Sequence, residues 1–405
     1  MISDIPPSGV LDIGSFQSKF IIFKVINSNI HILSKTILKT EGIKKGFISD
    51  VDKLTKLISE LIGKAEDEAD LQIKNIYLSI SPINSSFISF CSTKNIGGYK
   101  IEHEKDVQFL INESVNQFKD CYPSSSIIHL FNFNFRTDKI NAIESPVGLV
   151  ADSFESDIHI IFSKQNILKN FSNIISSINL KIEKFIFSPY VLSFSTYLGS
   201  PLSDACMVID FGHEKTSISI FQNENFLFAT TIPIGSWHVT NDISKSLNLN
   251  FQIAETLKRN YSSCASLDQN KIHEFLESDI SGTKSFKKIS NNILNKIVNS
   301  RIEEIIDFIN KELIYYNFTK QNFNKIVITG EGSKIKGFCD LLKKKIVAKC
   351  FLIEKFSNKI KNNFSDDFDV CLSMIYCIQN EYNKEVPSYQ KLDKSFFSKI
   401  YSIFN

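Results

Sequence analysis

The chain has 405 residues, 43% of them hydrophobic, and a formal net charge of +2. This length is too great for a single hydrophobic core, so we expect two or more domains. The near-neutral charge excludes a general nucleic-acid-binding surface, and we expect no nucleic-acid partner. The eight cysteines include no Cys-X-X-Cys pair and the seven histidines show no metal-ligand spacing, which favours reduced cytosolic thiols over disulfides or zinc. The start of the chain lacks signal-peptide features, and no apolar run reaches the ~18 residues of a membrane-spanning helix.

The first 81 residues are predicted to contain a strand meander followed by one helix. Residues 10–36 have the pattern of three strands, with a turn at Asn27–Asn29. Asp52–Ala69 has helical periodicity, and a further strand is expected near 76–81. The apolar face of the predicted helix consists of Leu54, Leu57, Ile58, Leu61 and Ile62.

Residues 82–157 have a different pattern of short strands, one helix and turns, and are predicted to form a small α+β insertion. Its expected elements are the strands Ser86–Phe90 and Ile127–Phe135, the helix Glu104–Phe118, and turns at Gly97–Gly98 and Pro123–Ser124. Strand Ile158–Phe162 is expected to resume the first domain. Helices are expected after it at about 164–178 and 189–198.

The second half is expected to begin at Cys206, with a helical pattern from about 237 to 260. Ile297–Tyr316 is predicted to be a long amphipathic helix. Its inward residues are Ile302, Ile305, Ile306, Ile309 and Leu313. Residues 322–353 have the pattern strand–loop–helix–strand, and the polar, Pro-containing stretch 383–393 is typical of a linker.

Three glycine-bearing turns carry the strongest functional signal. Val10–Lys19 and Met207–Phe221 each contain an apolar strand, Asp-X-Gly and small polar residues, then another strand, which predicts a hairpin with an acidic residue at its mouth. Ile326–Gly337 is a further strand with a Thr-Gly-X-Gly turn at a helix start, where backbone N–H groups are free. One hairpin in each half suggests a duplicated architecture that holds a ligand between the halves.

Phosphate with a divalent metal fits such a site. Glycine turns bring backbone N–H groups to phosphate, and carboxylates hold hydrated Mg²⁺. Asp12 and Asp210 are the candidate metal-facing carboxylates, because two like charges at one site are costly unless they share a cation. The alternative is that each aspartate merely caps a turn.

These three turns, in this order, resemble the phosphate-1, phosphate-2 and adenosine loops of the actin-like ATPase superfamily. Four further segments narrow the resemblance to the FtsA family of bacterial division proteins: Gly42–Gly46, Tyr77–Ser81, Ile232–Gly235 and His238–Asp242. The resemblance implies an α/β fold of two actin-like (ribonuclease H-like) domains with an inserted α+β subdomain and a C-terminal amphipathic helix. Its implied divisions are subdomain 1A at 1–81 and 158–198, 1C at 82–157, 2A at 199–235 and 318–382, 2B at 236–317, the linker at 383–393 and the helix at 394–405.

The same resemblance implies ATP and Mg²⁺ as cofactors and a set of nucleotide-binding residues. Ser15 would donate to phosphate and Lys19 would neutralise its charge, while the helix near Ser333 would add its dipole. Glu255 and Lys258 match positions that flank adenosine in the family, and the alternative for them is an ordinary surface ion pair. The implied set is Asp12, Gly14, Ser15, Lys19, Asp210, Gly212, Thr216, Glu255, Lys258, Gly330, Gly332 and Ser333, with Mg²⁺ held through water by Asp12 and Asp210.

The second turn departs from the family pattern Asp-Ile-Gly-Gly-Gly-Thr-Thr-Asp. His213 and Glu214 replace glycines, which restricts the backbone and puts a carboxylate beside phosphate, and Lys215 partly offsets that charge. Ser217 replaces the last acidic residue, and Ser188 stands where a Glu or Gln would orient water. These changes predict nucleotide binding with weak or absent ATPase activity.

The last twelve residues are predicted to form an amphipathic helix. On a wheel of ~100° per residue the apolar side chains fill one arc, and a helix this short is ~18 Å long, too short to span a bilayer. Its position behind a linker favours an interfacial membrane helix over one that packs on its own globule. The candidate lipid-contacting residues are Lys394, Phe396, Phe397, Lys399, Ile400, Ile403 and Phe404.

The resemblance therefore implies a peripheral protein on the cytoplasmic side of the bacterial inner membrane, at the division site. It would polymerise head to tail, contact anionic lipids, and tether the filament protein FtsZ by the C-terminal peptide of FtsZ, alongside other division proteins. The peptide would dock near a helix at 285–315. The alternatives are a PilM-like adaptor of a pilus or secretion assembly and a small-molecule kinase of the same fold, and the amphipathic tail argues against both.

Overall fold

The computed structural model describes residues 4–83, 86–138, 140–141, 143, 145–198, 205–222, 225–264, 272–278, 284–318, 325–346, 349–352, 366–380 and 386. The predicted linker, apart from Val386, and the predicted helix at 394–405 lie outside these residues. Among the helices of the described part, none is long and apolar enough to cross a membrane.

The strands are β1 (Ile5–Ile13), β2 (Gln17–Ile26), β3 (Asn29–Lys39), β4 (Ile43–Lys44), β5 (Phe47–Ile48), β6 (Asn75–Ile80), β7 (Ser86–Lys100), β8 (Ser125–Thr137), β9 (Val150–Lys164), β10 (Lys181–Phe187), β11 (Cys206–Phe211), β12 (Thr216–Gln222), β13 (Asn225–Ile232), β14 (Ile272–Ser278), β15 (Lys284–Ser290), β16 (Lys325–Thr329) and β17 (Lys349–Leu352). The α-helices are α1 (Val51–Ala69), α2 (Gln108–Cys121), α3 (Gln165–Ser177), α4 (Ser188–Leu198), α5 (Ser236–Ser246), α6 (Phe251–Asn260), α7 (Asn291–Tyr315), α8 (Phe338–Ile346) and α9 (Asp369–Gln379).

Two five-stranded sheets with the same topology form the centres of the two halves. The first has the order β10-β6-β1-β2-β3 and the second β17-β16-β11-β12-β13. In each sheet the first three strands form an antiparallel meander, and two further strands join parallel to the first. The predicted duplication and the α/β fold class are confirmed.

The halves are held together by helices that cross between them. Helix α4 follows the last strand of the first sheet but packs against β11 and β12 of the second. Helix α9 follows the second sheet in the chain but packs on β1 and β2 of the first, and also on α4. Its Cys371, Met374 and Ile375 are at most 1% exposed and belong to the core of the first half. Burial of such side chains favours folding by about 1.5–3 kcal/mol each.

Helix α1 follows the sequence prediction closely. Asp50 caps it by accepting a hydrogen bond from the Lys53 N–H at 3.0 Å. The five predicted apolar residues are all buried against the first sheet. Five other predicted inward residues, those of the long helix in the second half, are also buried along α7.

The insertion differs from the prediction in two places. Its sheet has the order β7-β9-β8. The expectation that Ile158–Phe162 resumes the first domain is wrong, because this segment belongs to β9 and pairs with β7 and β8. The predicted turn at Gly97–Gly98 is also wrong. Both glycines have positive φ but lie inside β7, where the pairing register shifts between Asn95 and Tyr99, so they form an irregularity within a longer strand.

Helix boundaries in the second half differ from the prediction in three places. The single helix predicted over 237–260 is two helices, because α5 ends before Leu247 and Asn250 caps the start of α6. The long helix starts at Asn291, after strand β15, so no helix begins at 285. The segment at Ser333 is one 3₁₀ turn, Glu331–Lys334, and the α-helix starts only at Phe338.

Candidate functional site

The two predicted hairpin turns have the same local geometry. In the first, the Gly14 N–H donates to the Gln17 carbonyl at 3.1 Å; in the second, the Gly212 N–H donates to the Lys215 carbonyl at 3.0 Å. The register pairs Asp12 with Lys19 across the first hairpin. In the second hairpin it pairs Asp210 with Ser217, so only the first aspartate faces a cationic residue across the strands.

Both turns open into one cleft of about 470 Å³ between the halves. Eight of the twelve predicted nucleotide-binding residues line it: Asp12, Gly14, Ser15, Lys19, Asp210, Gly212, Gly330 and Ser333. These residues come from three separate chain segments, so the structure brings together what the motifs predicted. Thr216, Glu255, Lys258 and Gly332 are not among the lining residues.

The third turn packs directly on the second. Gly330 has φ +85°, and a Cβ there would lie 2.5 Å from the Asp210 Oδ1 atom. A Cβ at Gly332 would lie 2.5 Å from the ring of Phe211. Both glycines are thus required by close packing, whatever ligand they contact. The Ser333 N–H closes the 3₁₀ turn by donating to the Gly330 carbonyl at 3.0 Å, and the Ser333 hydroxyl donates to the same carbonyl at 2.6 Å.

The start of α5 supports the second turn from the other side. The Ser236 N–H donates to the Gly212 carbonyl at 2.9 Å, and the Trp237 N–H donates to the His213 carbonyl at 2.7 Å. A Cβ at Gly235 would lie 2.4 Å from the His213 carbonyl oxygen. This contact explains why the segment Ile232–Gly235 ends in glycine. The Thr216 hydroxyl donates to the Ile234 carbonyl at 2.7 Å, so this predicted ligand residue instead ties the same segment to β12.

The three residues after Gly212 all reach the first half of the molecule. The His213 ring lies 4.9 Å from the ring of Phe16, centroid to centroid. The Glu214 carboxylate accepts a hydrogen bond from the Lys45 N–H. The Lys215 ammonium donates to both the carbonyl and the hydroxyl of Ser81. We call these three residues the clasp. From the sequence, these residues could be recognised only as departures from a glycine loop. Their contacts could not be predicted, because the partner residues are distant in the chain.

Charge at the centre of the cleft is partly compensated. Burial is the largest cause that raises the pKa of Asp210, to about 6; Asp12 raises it further, and Lys215 and Lys19 oppose the shift. Burial lowers the pKa of Lys215, whereas Asp210, Asp12 and Glu214 favour its charged form. Asp12, Lys19 and Lys215 are therefore all close enough to Asp210 to influence its charge.

Glu255 and Lys258 form part of a buried network on α6. Their ion pair measures 2.8 Å, and Lys258 is only 4% exposed, so the reading as an ordinary surface pair is wrong. Lys258 also donates to the Ser236 carbonyl at 3.2 Å. Burial raises the pKa of Glu255, but Lys258 and hydrogen bonds from Thr240 and Arg259 hold it at about 2.

Arg259 connects this network to the other turns, and the sequence did not single it out. It contacts Glu255 at 2.7 Å and Glu331 of the third turn at 3.4 Å. Its guanidinium carbon lies 5.3 Å from the centre of the Phe16 ring. Glu255 and Lys258 thus lie behind the cleft wall, and Arg259 extends from α6 towards the first turn.

Further lining residues were not predicted as ligands. They include Phe16 and Gln17 of the first turn, Ser79 and Ser81 at the end of β6, and Asp367 and Asp369 before and in α9. Asp369 accepts a hydrogen bond from the Thr329 hydroxyl at 2.8 Å. Ser188, predicted to stand where a Glu or Gln would orient water, also lines the cleft. Ligands commonly bind at the carboxyl ends of parallel strands. Ser79–Ser81 lies at that end of β6, as the three turns lie at the ends of β1, β11 and β16, and could have been predicted as a ligand position for this reason.

The geometry fits a phosphate-bearing ligand with hydrated Mg²⁺. Two turns with glycine and one lysine of the first hairpin face the same space. Among the described residues, no cluster of three or more His, Cys, Asp or Glu side chains is placed to hold a metal ion directly. Asp12 and Asp210 are the two predicted magnesium residues, and both line this cleft. Mg²⁺ is commonly held by one or two carboxylates together with water and phosphate oxygens.

The chain is similar in sequence to bacterial cell-division proteins. The family model for cell division protein FtsA matches residues 207–365. Cell division protein FtsA of Enterococcus hirae is 25% identical over 82% of this chain and 74% of its own length. The FtsA protein of Buchnera aphidicola subsp. Acyrthosiphon pisum is 26% identical over 98% of this chain and 96% of its own length.

Solved structures show the same fold at low identity. A type IV pilus biogenesis complex, PilM-PilN, matches with a TM-score of 0.63 and 14% identity over 92% of this chain and 98% of its own. MreB5 of Spiroplasma citri bound to ADP matches with a TM-score of 0.55 and 11% identity over 93% and 97%. These structures support the actin-like fold and no more than the fold.

Proposed function

Because this chain is similar to FtsA cell-division proteins over most of its length, we propose that it is an ATP-binding, actin-like division protein. It polymerises on the inner face of the cytoplasmic membrane and tethers FtsZ filaments there, which helps to assemble the septal ring. The relation itself supports a role in cell division. The nucleotide, the membrane and FtsZ are the parts that this proposal adds.

One observation carries the nucleotide part of the proposal. Two turns of matched geometry, one from each half, meet at a single cleft and place Asp12 and Asp210 on its wall. Backbone N–H groups at the first turn would donate hydrogen bonds to phosphate oxygens, and Lys19 would compensate the phosphate charge. Asp12 and Asp210 would hold hydrated Mg²⁺, which supplies further charge compensation when it is bound.

Turnover is proposed to be weak or absent. Ser188 lines the cleft where a longer carboxylate or amide would be needed to orient water. Glu214 adds negative charge beside the phosphate turn, and its carboxylate is engaged with the Lys45 N–H. Steady phosphate release on the order of one per second, an ordinary enzyme rate, would contradict this part.

A titration with ATP tests the nucleotide part. Full-length protein should bind ATP, and Lys19→Met should weaken binding by about tenfold or more, because it removes one charge from the phosphate end while keeping the aliphatic stem. Lys24→Met, on the same strand but outside the cleft lining, is the matched control and should leave the affinity within about twofold. Absence of ATP binding by the unaltered protein would refute this part.

The partner part rests on the family relation and on the helical region of the second half. We propose that the C-terminal peptide of FtsZ docks on the unit that contains α5, α6 and α7, near α7. Peptide docking of this kind usually buries an apolar anchor in a groove. A synthetic FtsZ C-terminal peptide should bind the full-length protein, whereas a scrambled peptide should not. Binding of neither would remove the support for tethering, and the PilM-like alternative would then be the one to test.

The membrane part rests on sequence alone, since residues 394–405 lie outside the described part of the chain. Five apolar side chains give at most ~1.5–3 kcal/mol each, and ordering the helix offsets much of that. A single copy should therefore bind anionic vesicles weakly, and a polymer with many copies should bind them tightly. Deletion of Lys394–Asn405 should release the protein from vesicles without loss of ATP binding. Equal sedimentation of both forms would refute the anchor.

A further inference from the structure

We propose that Lys215 is a resident cation of the cleft, which takes over charge compensation that Mg²⁺ would otherwise supply, so that this protein binds nucleotide nearly as well without Mg²⁺ as with it. This inference rests on the proposed nucleotide binding and adds a residue that decides its metal dependence. The ligand it concerns is a nucleoside triphosphate, whose phosphates carry the charge to be compensated.

The position of Lys215 is fixed by contacts at both ends of its side chain. Its backbone closes the second turn through the bond from the Gly212 N–H to its carbonyl. Its ammonium group donates to the carbonyl and hydroxyl of Ser81, which directly follows β6 of the first half. A Cβ built at Gly46 would lie 3.5 Å from the Lys215 Nζ atom, so the ammonium sits close against the backbone there. The side chain thus spans the cleft from one half to the other.

The charges around it are those that usually require a metal. Asp12 and Asp210 line the same cleft. Burial lowers the pKa of Lys215, and these two carboxylates oppose that shift by favouring its charged form. Lys19, on the first hairpin, is the other ammonium group that acts on Asp210. Loss of the Lys215 charge would leave the two aspartates less compensated beside the incoming phosphates, and a divalent cation would then be needed.

The same contacts also allow a purely mechanical role, in which Lys215 only ties the halves together. The two roles give different results when Mg²⁺ is removed. If Lys215 only holds the halves together, its replacement should change nucleotide affinity equally with and without Mg²⁺, because that role does not depend on other cations. If Lys215 is a resident cation, its replacement should weaken nucleotide binding mainly when Mg²⁺ is absent, since Mg²⁺ can replace the lost charge.

The test measures affinity of the full-length protein for a fluorescent ATP analogue, once with millimolar Mg²⁺ and once with excess chelator. Lys215→Met removes the charge and keeps the stem, and Lys215→Arg keeps the charge. Lys334→Met is the matched control, because it removes one charge from another part of the same cleft, where Lys334 pairs with Glu331 at 2.9 Å.

The unaltered protein and Lys215→Arg should bind the analogue within about threefold in the two buffers. Lys215→Met should lose about tenfold or more in chelator and recover most of it in Mg²⁺. Lys334→Met should shift affinity by the same factor in both buffers. Strong Mg²⁺ dependence of the unaltered protein, or an equal loss for Lys215→Met in both buffers, would overturn the inference and leave nucleotide binding intact. Absence of binding by every form in both buffers would refute the proposed function, and this inference with it.

Discussion

The first and second turns have the same backbone geometry but different surroundings. Gly14 and Gly212 each close a four-residue turn with nearly equal hydrogen bonds. The first turn presents small and aromatic residues to the cleft, and its aspartate faces Lys19 across the hairpin. The second turn is supported by α5 and by the third turn, and its clasp reaches the opposite half. Duplicated turns can thus diverge: both line the cleft, but only the second also joins the two halves through its clasp.

The largest expected effect comes from breaking the packing of the third turn on the second. Gly330→Ala places a methyl group 2.5 Å from the Asp210 Oδ1 atom at a φ of +85°, so strain and overlap add. We expect a loss of about 3 kcal/mol or more in the free energy of unfolding. Gly148→Ala is the matched control, because its φ is +91° but no atom lies within 4 Å of the new methyl group. It should cost only about 1 kcal/mol. Equal costs in denaturant titrations would show that the packing is unimportant.

A smaller effect is expected from acid, through His213 of the clasp. Burial, with the positive charge of Lys258, lowers the pKa of His213 to about 4, below its ordinary value of 6.5. The unfolded chain therefore takes up a proton between pH 6.5 and 4 that the folded chain does not. The resulting stability is complete above pH 6.5 and is lost as the pH falls towards 4.

His213→Phe should keep the aromatic contact with Phe16 and remove this titration. Unfolding free energies measured at pH 7.5 and 5 should differ less for the variant than for the unaltered protein, by about 2 kcal/mol. His159, whose pKa burial also lowers to about 4, remains and keeps part of the acid sensitivity. An unchanged pH dependence would mean that the clasp histidine is not buried in solution.

The smallest expected effect concerns Glu214. Glu214→Gln keeps the size of the side chain but weakens its charge-assisted hydrogen bond with the Lys45 N–H. We expect a loss of about 1 kcal/mol and faster amide exchange at Lys45. Glu41→Gln, an exposed carboxylate near the same loop, is the control for the loss of one charge and should have little effect. If both variants behave alike, the Glu214 contact contributes nothing beyond net charge.

The sequence predicted the sheets, α1 and the three turns because each depends on local patterns. Asp-X-Gly between two apolar strands determines a hairpin, and buried residues three and four apart determine a helix face. The role of Ile158–Phe162 was missed because a strand pattern does not reveal which sheet the strand joins. The clasp was missed for a related reason, since Lys215 and Ser81 are brought together only by the docking of the two halves. Gly97–Gly98 was mistaken for a turn because paired glycines mark turns and strand irregularities alike.

Amide hydrogen exchange at the two turns, with and without ATP, tests the central claim most directly. If the first turn receives the phosphates and the second is already held by the clasp, ATP should slow exchange in peptides that cover Ile13–Lys19. Peptides that cover Phe211–Ser217 should exchange slowly before ATP is added and should change little afterwards. The bonds from α5 to the carbonyls of this turn, and those between its side chains and the first half, limit the local opening from which amides exchange. No change at the first turn, or a large change confined to the second, would contradict the account.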